Sequence, residues 1–104
     1  MQLRHEKWLC LELVTIRAES RPGSAVEQFS ALLDEVETML SHHQLSLDDA
    51  VFTRFWLRDR AIGEPLREVR QRRFDGSRRT ASSSFYSTSH IFGAGDVSMD
   101  LYAF

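Results

Sequence analysis

The clearest periodic pattern in the chain runs over residues 51–58, where side chains alternate between two faces. One face carries β-branched and apolar residues: Val51, Thr53, Phe55 and Leu57. The other face carries two aromatic residues and two arginines: Phe52, Arg54, Trp56 and Arg58. Alternation of this kind predicts a strand with one face on a core. The second face is too charged for a core and too apolar for water, so we expect it to line a subunit interface or a wet cleft.

An amphipathic helix pattern lies on each side of this strand. Ser24 and Glu27 form a capping box that predicts a helix over residues 25–43. Apolar residues recur in it every three or four positions: Val26, Phe29, Leu32, Leu33, Val36, Met39 and Leu40. A second helix begins near Gly63, with Pro65 in its first turn, and its buried face is formed by Leu66, Val69 and Phe74.

Three further segments predict strands. Residues 7–18 are apolar on both faces, which is typical of a central strand. Residues 80–91 are rich in hydroxyl side chains, and a hairpin loop at 92–96 joins them to a last strand at 97–104. The order strand, helix, strand, helix, strand, strand predicts an α+β domain. Both helices then cover one face of a mixed sheet of four strands or more, and the other face stays uncovered.

Length and composition narrow the class of protein. The 104 residues predict a single domain, 1–104, and the net charge of −2 gives no general attraction to nucleic acid or membrane. No apolar run reaches the ~18 residues of a membrane-spanning helix. Cys10 is the only cysteine, so an internal disulfide is impossible and a reducing, cytoplasmic compartment is expected. We interpret Cys10 as a small buried residue rather than a nucleophile.

Two charged features have alternative interpretations. The second helix carries four arginines, which could bind phosphate or RNA, or could form a solvated face paired with acids of the first helix: Arg67, Arg70, Arg72 and Arg73. His42 and His43 are adjacent at the end of the first helix and therefore point apart, so we expect no metal site there.

Two segments carry a resemblance to a known family. SLDDAVFTRFWLRD at residues 46–59 is similar to the "Gly-x-Ser-x-Asp-Asp-Val" and "Thr-x-Phe-Leu-x-Asp" segments of the Rid/YjgF superfamily, the reactive-intermediate imine deaminases, also called endoribonuclease L-PSP proteins. DVSMDLYAF at residues 96–104 resembles the family's closing strand. The matching features span about residues 24–104. The resemblance implies a chorismate-mutase-like fold, a homotrimer with clefts between subunits, and hydrolysis of enamines and imines without a cofactor.

The chain departs from the family pattern at three points. The family's arginine in "Pro-Ala-Arg-Ser", which holds a substrate carboxylate, is missing, and Arg79 could replace it only from another position. Ser98 and Asp100 stand where the closing motif has two glutamates. A single strand is expected where the family has an N-terminal hairpin.

The best site candidate is the polar face that serines, Tyr86 and Asp100 form on the last two strands; the alternative is an ordinary solvent-exposed sheet face. As an enzyme, the protein would add water to a C=N or C=C–N group of a small-molecule substrate. The predicted catalytic residues are those that position water or bond the reacting group: Asp100, Ser83 and Tyr86. The predicted substrate-binding residues include two arginines for an acidic group: Arg58, Arg79, Ser84, Ser98 and Trp56.

Two other functions remain open from the sequence. One is a non-catalytic trimer, in a biosynthetic pathway or elsewhere, that binds a small ligand. The other is RNA binding or cleavage through the arginines of the second helix, which the near-neutral charge of the chain disfavours. No feature of the sequence indicates a membrane partner.

Overall fold

The fold is built on a mixed five-stranded sheet in the order β1-β2-β5-β3-β4. This computed structural model describes residues 1–8, 11–74, 80–91 and 93–104. The strands are β1 (Gln2–Trp8), β2 (Leu11–Glu19), β3 (Ala50–Leu57), β4 (Ala81–Tyr86) and β5 (Val97–Ala103). The helices are α1 (Ala25–Ser41) and α2 (Gly63–Arg73). β4 pairs with β3 in parallel, and the other neighbours are antiparallel.

Both helices pack on one face of the sheet, as the sequence predicts. Ser24 caps α1 by accepting a hydrogen bond from the backbone N–H of Glu27 at 3.3 Å. The core lies between the helices and the inward residues of the three central strands: Val14, Ile16 and Ala18 of β2, Phe55 and Leu57 of β3, and Val97, Met99, Leu101 and Ala103 of β5. The predicted α+β class is therefore confirmed. Across the described residues, no helix combines the length and apolar character needed to cross a membrane.

The prediction of one long strand over residues 7–18 is wrong. The segment belongs to a hairpin in which β1 and β2 pair from Gln2 opposite Arg17 to Trp8 opposite Leu11. Neither glycine nor proline interrupts the apolar run, so the pattern does not mark the reversal of the chain. The N-terminal hairpin is therefore present rather than shortened. The reversal itself, including Cys10, lies outside the described residues.

The predicted hairpin between the last two strands is also wrong, because β3 lies between β4 and β5. The parallel pairing of β4 with β3 requires a crossover, which α2 supplies. The predicted strand 80–91 ends at Tyr86, and a short 3₁₀ turn follows at Thr88–His90.

Two apolar residues assigned to the core from the sequence are exposed. Val26 is 43% exposed in the first turn of α1, and Val51 is 36% exposed. A register irregularity between Ala50 and Phe52 puts Val51 out of step with the inward residues that follow it.

A buried polar network ties α1 to the sheet. The side-chain carbonyl of Gln28 accepts from the Ser20 hydroxyl at 2.8 Å and from the backbone N–H of Asp96 at 2.8 Å. Its amide donates to the Asp96 carboxylate at 2.9 Å. A Cβ at Gly95 would lie 2.3 Å from the Ser20 carbonyl oxygen, so the loop before β5 can approach only with glycine there.

Replacing Gln28 tests this network. Because the substitution leaves buried donors and acceptors unpaired, we expect Gln28→Ala to lower the free energy of unfolding by about 2–3 kcal/mol in urea denaturation. The control is Gln71→Ala, an exposed helical position where the change should stay within about 0.5 kcal/mol. Equal losses in the two variants would contradict a structural role for the network.

Candidate functional site

The helix-free face of the sheet carries a charged row that crosses all five strands. The register partners that form this row, in the order of the strands in the sheet, are Gln2, Arg17, Asp100, Arg54 and Ser83. Directly opposed residues of paired strands share a face, so this row brings together side chains that are far apart in the sequence.

Asp100 is the centre of this row. Its carboxylate is only 5% exposed, because it lies on the central strand between two long arginines. Oδ1 accepts from Nε of Arg17 at 2.9 Å, and Oδ2 accepts from Nε1 of Trp56 at 3.4 Å. Nη1 of Arg54 lies 3.8 Å from Oδ2. A buried carboxylate needs such partners to offset its desolvation.

The two arginines remain accessible. The side chain of Arg17 is 47% exposed, and that of Arg54 is 35% exposed. The hydrogen bond with Asp100, and then the attraction of the opposite charges, raise the pKa of Arg17 above its ordinary value. Arg17 therefore stays a cation at any physiological pH, with part of its guanidinium open to solvent.

An open depression of about 650 Å³ lies over the row. Three arginines and one acid line it, so the local charge is positive although the chain is slightly acidic overall: Arg4, Arg17, Arg54 and Asp100. Thr15 and Tyr102 complete its polar wall. The arrangement suits an anion with a planar oxygen pair, which a guanidinium can bind through two parallel hydrogen bonds.

Aromatic side chains border the row on one side. Trp56 stacks on Phe85, with ring centroids 5.0 Å apart, and on the imidazole of His90, with centroids 4.0 Å apart and planes 9° apart. Nδ1 of His90 lies 3.0 Å from the hydroxyl of Ser87. The stack holds the imidazole of His90 next to the tryptophan that donates a hydrogen bond to Asp100.

The structure brings four of the predicted site residues to this face. Asp100 and Trp56 are in direct contact, and Ser83 is the register partner of Arg54. Ser98 is the register partner of Trp56, but it is only 1% exposed and cannot reach a ligand in this arrangement.

The other predicted site residues lie elsewhere. Ser84 and Tyr86 alternate with Ser83 along β4 and face the helix side, where they line a separate depression beside α2. Arg58 donates to the carbonyl oxygen of Gly95 at 3.1 Å, so it holds the loop before β5. Arg79 is outside the described residues.

Sequence reasoning missed Arg17 and His90. The sequence analysis identified Arg54 as one of the charges on the outward face of its strand. Arg17 lies at the end of an apolar run that was predicted to form one long strand. His90 lies in the 3₁₀ turn at Thr88–His90, a segment that the sequence analysis predicted as part of a strand. Among the described residues, no group of three His, Cys, Asp or Glu side chains converges to hold a metal.

Comparisons by sequence alone find nothing: no protein-family model and no curated protein matches the chain. Comparisons by structure give clear matches. Rv2704 of Mycobacterium tuberculosis, of the YjgF/YER057c/UK114 family, is 24% identical with a TM-score of 0.78 over 88% of this chain and 78% of its own. Yeast Mmf1 is 20% identical with a TM-score of 0.78 over the same shares.

A third match extends over nearly the whole chain. NMB1025 of Neisseria meningitidis, of the YjgF family, covers 99% of this chain and 94% of its own, at 14% identity and a TM-score of 0.69. The chain therefore has the fold of the YjgF/Rid proteins, which confirms at the level of the fold the resemblance drawn from the sequence.

A double-mutant cycle measures how strongly the site is held together. For Arg17→Gln and Asp100→Asn we expect a coupling energy of about 1–2 kcal/mol in the free energy of unfolding, because the carboxylate is buried. The matched pair is Arg4–Glu6, which is 2.8 Å apart but has side chains 79% and 43% exposed. Water screens that pair, so its coupling should stay below about 0.5 kcal/mol. Equal couplings would show that burial does not strengthen the central pair.

Proposed function

We propose that this chain is a divergent member of the Rid/YjgF superfamily that hydrolyses a small enamine or imine carrying a carboxylate. The reaction would take place in clefts between the subunits of a homotrimer. The observation that carries the proposal is the shared carboxylate of Asp100, which holds two partly exposed guanidinium groups in one depression.

Charge balance explains the preference for an acidic substrate. Arg17 and Arg54 bring two positive charges to Asp100, which supplies one negative charge. A substrate carboxylate would neutralise the remaining charge and could bind the free edge of either guanidinium. These arginines would take the role of the family arginine that the chain lacks at the start of β4.

The hydrolytic step needs a positioned water molecule. A carboxylate offers about four acceptor positions, and Oδ1 of Asp100 accepts only one short hydrogen bond from a described side chain, that of Arg17. A water bound at its second lone pair would add to the C=N carbon, and the carbinolamine formed would then break down to a carbonyl compound and ammonia. An enamine would first take up a proton on carbon to become the imine. Trp56 and Phe85 would contact the carbon skeleton.

The trimer is supported by aromatic side chains that are exposed on the helix-free face beside its charged row. Phe85, which stacks on the partly buried Trp56, is 44% exposed, and Phe104, just beyond the end of β5, is 38% exposed. Exposed aromatic patches of this kind mark contact surfaces, and closed symmetric oligomers are the usual result. Covering the face with a second copy would turn the open depression into an enclosed cleft.

A non-catalytic small-ligand-binding trimer is the second candidate. It is favoured by the number of donors around Asp100, because three side chains already occupy positions around its oxygens that a catalytic water would need. This candidate predicts a ligand-dependent rise in melting temperature with no turnover.

An imine-hydrolysis assay separates the two candidates. Imino acids are generated in situ by an amino-acid oxidase, and semicarbazide traps the imine that survives. We expect the protein to speed the loss of the trappable imine, Asp100→Asn to lower kcat/KM by about 100-fold or more, and Arg54→Gln mainly to raise KM. Asp48→Asn, at an exposed acid that does not line the depression over Asp100, is the control and should keep full turnover.

The oligomer is measured on the same samples by light scattering during size-exclusion chromatography. If the Asp100→Asn variant turns over imine as fast as the wild-type protein, the catalytic assignment of Asp100 is refuted. No turnover by a folded trimer that imino or keto acids stabilise would favour the binding protein.

A further inference from the structure

A second depression, of about 230 Å³, lies on the helix side of the sheet between α2 and the edge strand β4. Its floor is apolar, because Leu57 and Leu66 are almost fully buried beneath it. Its walls carry the side chains of Ser84 and Tyr86 from β4 and three arginines from the opposite side. It is separate from the depression over Asp100, which opens on the other face.

The lining has an excess of positive charge. Arg60, Arg67 and Arg70 face a single acid, Glu64, which leaves two positive charges unbalanced. The Glu64 side chain is 86% exposed and 3.7 Å from Arg67, so water weakens that pair. Arg70 donates one hydrogen bond to the hydroxyl of Ser82 at 2.8 Å, which fixes its position without neutralising its charge.

Tyr86 orders the mouth of this depression. The guanidinium of Arg60 lies 5.4 Å from the centroid of its ring, a cation–π contact. A Cβ at Gly63 would come within 2.8 Å of the Tyr86 hydroxyl, so a larger residue there would displace the tip of the ring from the first turn of α2. Among the described residues, no side chain accepts a capping hydrogen bond at the start of α2, and the positive end of its dipole adds to the charge of the arginines.

We propose that this depression binds a phosphate group, either free phosphate or the phosphate monoester of a small metabolite. A phosphate carries about −1.5 to −2 charges near neutral pH, which matches the two unbalanced positive charges. Guanidinium groups bind phosphate oxygens through paired hydrogen bonds, and the hydroxyls of Ser84 and Tyr86 can donate to the remaining oxygen. The leucine floor and the tyrosine ring would contact the carbon part of an ester.

The proposal assigns a role to two of the predicted site residues that the fold separates from Asp100. Ser84 and Tyr86 leave the helix-free face because side chains alternate along a strand. The proposal does not depend on imine hydrolysis, since its side chains lie on the helix side of the sheet, opposite the Asp100 row.

The test is a titration of ¹⁵N-labelled protein with sodium phosphate at constant ionic strength, with chloride as the balancing anion. We expect saturable chemical-shift changes at the amides of Gly63, Glu64, Ser84 and Tyr86. Arg60→Gln and Arg67→Gln should each weaken binding about tenfold, which is the scale of one charged hydrogen bond. Both side chains are at the surface, so the variants should keep the wild-type spectrum elsewhere.

The matched control is Arg72→Gln, which removes the same charge from the same helix at an exposed position outside the depression. It should leave the affinity within about twofold if a local site binds the anion. Equal weakening by all three variants would mean general charge attraction and would overturn the proposal, as would the absence of saturable shifts.

A parallel titration with phenyl phosphate distinguishes the two sources of the group. Tighter binding of the ester, with added shifts at Leu57 and Leu66, identifies a metabolite phosphate, and equal affinity identifies the free anion. Imine turnover is also measured in Arg67→Gln, and we expect it to equal that of the wild-type protein. Phosphate binding and imine hydrolysis are thus tested independently, and either proposal can fail without the other.

Discussion

Strand β5 packs against the hydrophobic core on one face and carries a buried carboxylate on the other. The rest of the structure depends on how that carboxylate is stabilised. It lies between β2 and β3, and nearly all of its residues are buried. Met99 and Leu101 enter the core under the helices, while Asp100 points to the opposite face with only 4% of its surface exposed. A carboxylate in that position is stable only with donors beside it, and the neighbouring strands supply them as Arg17 and Arg54.

The proposed site therefore follows from the way the fold satisfies one buried charge. Cations that are drawn together by a single acid are held in place before any ligand arrives, which reduces the entropy lost on binding. The same arginines have more positive charge than the acid can neutralise. A ligand with a carboxylate would complete the balance, and the aromatic side chains beside the row would exclude water from its apolar part.

The alternation of side chains along β4 divides the hydroxyl groups between two sides of the sheet. Ser83 stays with the Asp100 row, whereas Ser84 and Tyr86 face α2 and its arginines. One arginine of α2 pairs with acids of α1, which is one of the two interpretations of these arginines from the sequence. Arg73 lies 3.0 Å from Asp34 and 2.8 Å from Glu37. The arginines of the second depression lack such strong partners among the described residues, which is why a ligand is proposed there.

Local patterns determined the elements whose residues repeat with a clear period: α1, α2, β3 and β5, together with the uncovered polar face. Period and capping are properties of neighbouring residues, so the sequence alone contains them. The reversal between β1 and β2, the insertion of β3 between the last two strands, and the meeting of Arg17 with Asp100 were decided only by the tertiary structure. Arg17 and Asp100 are 83 positions apart, and α2 and β4 separate β3 from β5 along the chain, so no local signal encodes these two pairings. The β1–β2 reversal is local, but no glycine or proline marks it.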